Sequence, residues 1–331
     1  MKTPLLSVLD LAPILSGYTA AASLSHAVEL AQHVEALGFQ RYWFAEHHNM
    51  EGIGSSAPEV LIAHVASRTE NIRVGSGGIM LPNHATLHVA EIFRTLEALF
   101  PGRIDFGLGR APGSGSKAAN LLRGHGNIAA NEFPHEFDKL VKWLNDDNHN
   151  DVAAVPSDTP MPEIWILGSS DFGAQFAADR GFPYSFAQHF SQIPALEIFR
   201  LYHERFRPSE YCKKPKASMG CHIICAETDE AAEELALSSD LSFALFVGTG
   251  NSIPLPSVAE AKAYPFTAKD WNEVRAGSMP KFVGSPATIK KMLSPYVESG
   301  LIEELMILSM IHDPVKRKRS YELVSEIWPQ N

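Results

Sequence analysis

Three observations predict an α/β fold, a (β/α)8 barrel, for this chain of 331 residues. Short apolar runs alternate with longer stretches of helical periodicity, the alternation repeats eight times with mostly short links, and no break in composition divides the chain. Strands joined through helices run parallel with right-handed crossovers. A closed barrel and an open doubly wound sheet both meet that requirement. Eight repeats in one chain favour the barrel, which needs ~250 residues plus insertions. The expectation is a single domain over 1–331 with a long excursion before the last strand.

Leu5-Leu6-Ser7-Val8-Leu9 reads as the first strand. The spacing of Leu24, Ala27, Val28, Ala31, Val34 and Leu37 predicts a helix that Ser23 caps and Gly38 ends. Arg41-Tyr42-Trp43-Phe44-Ala45 is a buried strand, followed by a helix over 58–67 and a strand at Ile72-Arg73-Val74-Gly75-Ser76. Leu87, Ala90, Phe93, Leu96 and Phe100 mark the next helix, which Pro101-Gly102 stops before a fourth strand at Arg103-Ile104-Asp105-Phe106-Gly107.

Ile164-Trp165-Ile166-Leu167 is the fifth strand, with a helix over 170–180. Tyr184-Ser185-Phe186-Ala187 is the sixth, with a helix over 194–206. Residues 217–225 form the seventh, after which Thr228 caps a helix to about 243. Pro286, behind Ser285, starts a helix ending near Gly300. Leu305-Met306-Ile307-Leu308 is the eighth strand, and Asp313-Pro314 opens the terminal helix. Two segments break the rhythm. Residues 109–134 are rich in Gly, Ala and Asn, and 247–282 carry prolines and glycines. Long irregular segments in a compact domain are usually lids or binding loops.

A composition of 45% hydrophobic and 20% charged residues suits a soluble globular protein, and a net charge of −10 argues against a nucleic-acid surface. No apolar run approaches the ~18 residues of a membrane span. The opening residues lack the apolar run and cleavage site of a secretory leader, so a cytoplasmic location is expected. Lys316-Arg317-Lys318-Arg319 points to every side of the last helix and reads as solvated surface. Cys212, Cys221 and Cys225 form no C-x-x-C pair and read as reduced structural thiols, with no zinc site.

Glu46-His47-His48-Asn49 stands at the C-terminal end of the second strand, where barrel enzymes place working side chains. Adjacent strand residues point to opposite faces, so His47 and His48 do not chelate one ion, and the H-E-x-x-H metal pattern is missing. A histidine beside a carboxylate titrates near neutral pH and can shuttle a proton; a structural, hydrogen-bonded histidine is the ordinary alternative. Gly75-Ser76-Gly77-Gly78-Ile79-Met80-Leu81-Pro82 ends the third strand, where the glycines either let a flat ring approach the backbone or make a flexible turn.

Gly107-Leu108-Gly109-Arg110-Ala111-Pro112-Gly113 ends the fourth strand without G-x-G-x-x-G spacing, and Arg110 at the rim suits a phosphate. Gly168-Ser169-Ser170-Asp171 ends the fifth and opens a helix, whose free amides and hydroxyls suit an anion, although Ser170 can equally be a plain N-cap.

The strings R-Y-W-F-A-E-H-H-N, G-S-G-G-I-M-L-P and P-G-R-I-D-F-G-L-G-R-A-P-G, in order and register, resemble the bacterial luciferase-like flavin monooxygenase family. The resemblance covers nearly the whole chain and is strongest over 5–113. It implies a (β/α)8 barrel that binds reduced FMN, or less often the deazaflavin F420, at its C-terminal face. It also implies that His47 is the active-site histidine, Glu46 a carboxylate near the flavin, Gly77-Gly78 a cis peptide beneath the ring and Arg110 the phosphate-binding arginine. Gly168, Ser169 and Ser170 match the second phosphate-binding segment. Luciferase has a Glu-Ser pair where this chain has Ser169-Ser170, and a cysteine where Gly109 stands in the cofactor segment, so light emission is not expected.

The stretch 247–282 resembles the family's mobile loop, which covers the flavin and excludes water. The implied reaction takes reduced FMN from a separate flavin reductase and uses O2 to oxygenate a small, aldehyde-like substrate. Members are usually homodimers packed through the second and third helices. The alternatives are F420-dependent hydride transfer and a non-catalytic flavin carrier. Retention of His47 and the long loop argues against the carrier. A nicotinamide dehydrogenase lacks its glycine fingerprint here.

Overall fold

The computed structural model describes residues 3–111, 115–123, 132–147, 151–276 and 280–330. Parts of the expected loop at 109–134 therefore lie outside the described residues.

The first half runs β1 (Leu5–Asp10), α1 (Ala20–Ala36), β2 (Arg41–Phe44), α2 (Pro58–Ala66), β3 (Arg73–Met80), α3 (Thr86–Leu99), β4 (Ile104–Gly109), α4 (Ser116–Arg123) and α5 (Phe133–Leu144). The second half runs β5 (Glu163–Gly168), α6 (Asp171–Arg180), β6 (Tyr184–Ala187), α7 (Ala195–Arg205), β7 (Ala217–Cys225) and α8 (Asp229–Thr249). It ends with α9 (Val258–Ala263), α10 (Ala268–Ala276), β8 (Lys281–Gly284), α11 (Pro286–Val297), β9 (Glu304–Leu308) and α12 (Pro314–Ile327).

All strand pairings are parallel. Strands β1 to β7 pair in sequence, β7 pairs with β9, and β9 returns to β1, which closes an eight-stranded (β/α)8 barrel. The ninth strand, β8, is outside that ring. It pairs with His222–Cys225 of β7 beyond the stretch that β6 occupies, so it extends β7 upward at the barrel mouth.

Several elements differ from the sequence expectation, each for a local reason. Thr19, not Ser23, caps α1, accepting from the Ala22 amide at 3.2 Å, while the Ser23 hydroxyl accepts from the Leu15 amide. Helix α8 runs on through Gly248 to Thr249 and ends at Gly250, whose φ is 75°. The stretch 247–282 is not an irregular excursion. Ser257 and Glu260 form a capping box that starts α9, Thr267 and Asp270 exchange the same pair of bonds at the start of α10, and β8 begins at Lys281. Arg317 is not solvated surface either. It is buried, paired with Asp10 at 2.7 Å and bonded to the Ser309 carbonyl. Cys212, Cys221 and Cys225 are free thiols.

Period-two alternation along each strand divides the core. Tyr42, Phe44, Ile164 and Ile307 belong to the large cluster between barrel and helices. Their neighbours Leu9, Trp43, Trp165 and Met306 form a separate cluster inside the barrel, with Trp43 edge-on to Trp165 at 5.4 Å. Below this apolar layer lies a charged floor. Arg41 bonds Asp105 at 2.9 Å and Glu304 at 3.0 Å, and Arg73 bonds the other Asp105 oxygen at 2.7 Å. The floor and apolar layer plug the N-terminal end, leaving the C-terminal ends of the strands to form the site.

Candidate active site at the C-terminal mouth of the barrel

A cavity of about 710 Å³ opens above Trp43 and Met306. Its size falls within the ~300–1,000 Å³ usual for small-molecule and cofactor sites. Nearly every residue singled out in the sequence lines it: His47, Gly77, Gly78, Gly109, Arg110, Gly168, Ser169 and Ser170 all do.

The floor of one side is bare backbone. The peptide between Gly77 and Gly78 is cis, and the β3–β4 register shifts between Ser76 and Ile79. A Cβ on Gly78 would lie 2.6 Å from the Gly107 carbonyl oxygen, and one on Gly77 would lie 2.7 Å from the Leu9 side chain. Backbone blocks any side chain at Gly78, whereas at Gly77 the end of the Leu9 side chain would have to move, so this stretch of the cavity wall carries no side chains of its own.

Arg110 and Ser170 come together at one end. The Arg110 guanidinium stacks over Phe172 in the first turn of α6, 3.8 Å from the ring centroid. Ser170 occupies the N-cap position of α6, yet its hydroxyl makes no capping hydrogen bond. Ser170 is thus the N-cap by position but not by a side-chain bond. A cation, a hydroxyl and the positive end of a helix dipole face the same space. The Ser169 carbonyl is held by the Ser191 hydroxyl at 2.8 Å and the Ser170 carbonyl by the Tyr184 hydroxyl at 3.3 Å, which fixes the turn.

Glu46 is placed differently from the expectation. It is wholly buried and takes no part in lining the cavity, unlike its neighbours Ala45, His47 and His48. Its carboxylate accepts from the Met80 amide at 2.7 Å and bonds the Nε2 atoms of His48 and His84, each at 2.8 Å. Burial alone would raise its pKa, but the bonds and charge of His84, the Met80 amide and His48 outweigh that and lower it. Glu46 thus clamps the 45–50 turn to the end of β3. His47 is oriented by this clamp and by its own amide, which donates to the Ser55 carbonyl at 3.2 Å.

Sequence reasoning missed four ionisable residues of the cavity wall: His189, His222, Asp240 and Lys281. His189 follows the tip of β6, and burial together with the field of His47 brings its pKa down to about 4 against a partial opposing effect from the Gly220 backbone. His222 is on β7, and burial, Lys281 and His189 bring it down to about 3. Both imidazoles are therefore uncharged at neutral pH. The signal for His222 was available, since counting in twos from Ser218 along β7 aims it inward. Lys281 is ion-paired with Asp240 of α8.

Among the described residues, no group of three or more His, Cys, Asp or Glu side chains is arranged to hold a metal ion, and no helix is long and apolar enough to cross a membrane. Fold and site together define a barrel protein with a large, mostly apolar cavity, one cationic end and histidines beside a bare-backbone floor.

The family model for luciferase-like monooxygenases matches residues 6–302, and the chain belongs to that family. It is 38% identical to a luciferase-like monooxygenase of Escherichia coli K12 over 98% of this chain and 97% of the relative. It superposes on the crystal structure of apo-MsnO8 with a TM-score of 0.92 at 34% identity, covering 99% of both chains. A more distant barrel, the oxygenating constituent of 3,6-diketocamphane monooxygenase from Pseudomonas putida in complex with FMN, shares the fold. Its TM-score is 0.71 at 19% identity, over 99% of this chain and 98% of that one.

Proposed function

We propose that this protein is a flavin-dependent monooxygenase that uses reduced FMN and O2 to oxygenate a small organic molecule. One observation carries the reading: a single cavity joins the Arg110–Ser170 end, the bare Gly77-Gly78 backbone and His47. FMN has a dianionic phosphate tail and a planar ring, and the residues fit both parts. Arg110, the Ser170 hydroxyl and the α6 amides would hold the phosphate. Gly77 and Gly78 would let the ring lie against the backbone. Bound FMN in its reduced form supplies the electrons with which O2 is activated.

The remaining work falls to the protein. Trp43, Trp165 and Met306 close the barrel from below and exclude water. His47, held by the Glu46 clamp, is placed to hold or deliver a proton at the reacting end of the cavity. A separate flavin reductase supplies the reduced cofactor, and two copies pair through α2 and α3, where Val60 and Leu99 are exposed.

The test is an anaerobic titration with reduced FMN, then oxygen uptake in the presence of a flavin reductase and a series of aliphatic aldehydes. Tight binding and aldehyde-dependent product formation are expected. Selective binding of F420 with no oxygen consumption would replace the reading with hydride transfer.

A further inference from the structure

The two ends of the cavity differ in charge. Arg110 follows β4. Around the ring of β1 to β7 and β9, the strand four places from β4 in either direction is β9, with β7 beside it and β8 extending β7. The side of the cavity formed by β7, β8, β9 and α8 therefore lies across the mouth from Arg110. Its apolar lining includes Phe243, Phe246, Leu255, Met306 and Met310, with the hydroxyls of Ser239 and Ser242 among them. The ionisable lining residues on this side, among those described, are Asp240, Lys281 and His222, with His189 just after β6. The Lys281 ammonium is bonded to the Asp240 carboxylate, so that pair presents no net charge. The imidazoles are neutral, so they offer hydrogen bonds without charge.

We propose that this side is the organic-substrate subsite, that it takes an uncharged amphiphile with one small polar head on an apolar body, and that the Asp240–Lys281 pair excludes carboxylate-bearing molecules. The proposal rests on the assignment of the Arg110 end to the phosphate of FMN. A carboxylate entering here loses its hydration, finds the one nearby cation among the described residues already neutralised, and meets the like charge of Asp240. A hydroxyl or carbonyl head needs only a hydrogen bond, which His189 and His222 can supply. Specificity by charge is thus set by Asp240, because its removal turns Lys281 into an unpaired cation facing an apolar cavity.

The experiment compares n-decanol with decanoate by calorimetry on the full chain saturated with FMN, which keeps the carboxylate away from Arg110. Wild type is expected to bind decanol and to bind decanoate on the order of tenfold more weakly or worse. Asp240→Asn should reverse the preference, with decanoate gaining about tenfold or more and decanol little changed. Removing one partner of a partly buried pair also destabilises the fold, so the double variant Asp240→Leu, Lys281→Met is the companion. It should bind decanol as wild type does and still reject decanoate.

An unchanged decanoate-to-decanol ratio in Asp240→Asn overturns the proposal, as does wild-type protein that binds decanoate as well as decanol or binds neither. Should FMN itself not bind, the cofactor assignment is what has failed. The same titrations with inorganic phosphate filling the Arg110 end then still decide the subsite.

Discussion

The Arg110 guanidinium lies 3.8 Å over the centroid of the Phe172 ring, and this stack ties the tip of β4 to the first turn of α6. The stack uses the face of the guanidinium and leaves its in-plane N–H groups to bond an anion. Arg110→Ala should therefore weaken FMN much more than riboflavin, which lacks the phosphate. Hydrogen bonds to a charged group are worth ~1.5–3 kcal/mol, so FMN should lose roughly 10–100-fold in affinity. Fluorescence titration with both flavins checks this, and equal losses would place Arg110 away from the phosphate.

Gly78→Ala should abolish FMN binding and lower stability together. The new Cβ would come within 2.6 Å of the Gly107 carbonyl oxygen, a backbone atom that cannot swing aside. Relief requires moving β3 from β4, which displaces the floor of the cavity. Gly77→Ala meets the end of the Leu9 side chain first, at 2.7 Å, and should be milder. Thermal melts and FMN titrations of the two variants give the order, and a fully stable, FMN-binding Gly78→Ala would contradict the close approach.

What the sequence reveals of this site depends on the range of each signal. Strand alternation is local, so Leu9, Trp43, Trp165 and Met306 could be aimed inward from their own segments. The tips of β2 to β5 carried compact strings and were legible. Asp240 and Lys281 were not, because their pairing spans 41 residues, from a helix to a stretch whose prolines suggested a loop. Arg317 looked solvated because its partner, Asp10, is 307 residues away and composition carries no trace of such a pair. The capping pairs Ser257/Glu260 and Thr267/Asp270 are legible in the sequence as the starts of α9 and α10, a signal that the neighbouring prolines mask.

His47→Ala should leave FMN affinity within a few-fold of wild type while turnover collapses. The backbone amide of residue 47 still reaches the Ser55 carbonyl, and the Glu46 clamp does not involve the His47 side chain. General acid–base groups contribute typically ~10²–10⁴-fold, so product formation should fall by roughly that factor. Unchanged turnover removes His47 from the reaction.

Stability should decline as pH falls from about 6.5 to 4, ahead of ordinary acid unfolding. His189 titrates near 4 when folded against an ordinary value of 6.5, so between those values the unfolded chain binds a proton that the folded one does not. The contribution is complete above the ordinary value and is lost as pH drops through the window, on the order of 3 kcal/mol for His189. His222 acts in the same direction to about 3. Glu46, whose pKa is lowered, adds its own loss only below its ordinary 4.5. Urea midpoints at pH 7.5 and 5.0 should therefore differ less in His189→Gln than in wild type, and an identical difference would remove His189 as a source.

Asp105→Asn tests the floor rather than the mouth. Asp105 is fully buried and accepts from Arg41 at 2.9 Å, Arg73 at 2.7 Å and the Trp43 indole at 2.9 Å. Burial opposes its ionisation, but the two guanidiniums outweigh that and keep it charged. Asparagine preserves the shape and removes the charge, leaving Arg41 with Glu304 and a weaker contact to Glu163 at 3.7 Å. Breaking a buried pair from one side costs about 3–5 kcal/mol, and that loss should appear in denaturant unfolding. The indole bond links the floor to the apolar layer, so Trp43 should also become more mobile, and its fluorescence should shift to the red. A stability change without any shift in Trp43 emission would mean that the charged floor carries the barrel but does not set the position of the ring that closes the cavity.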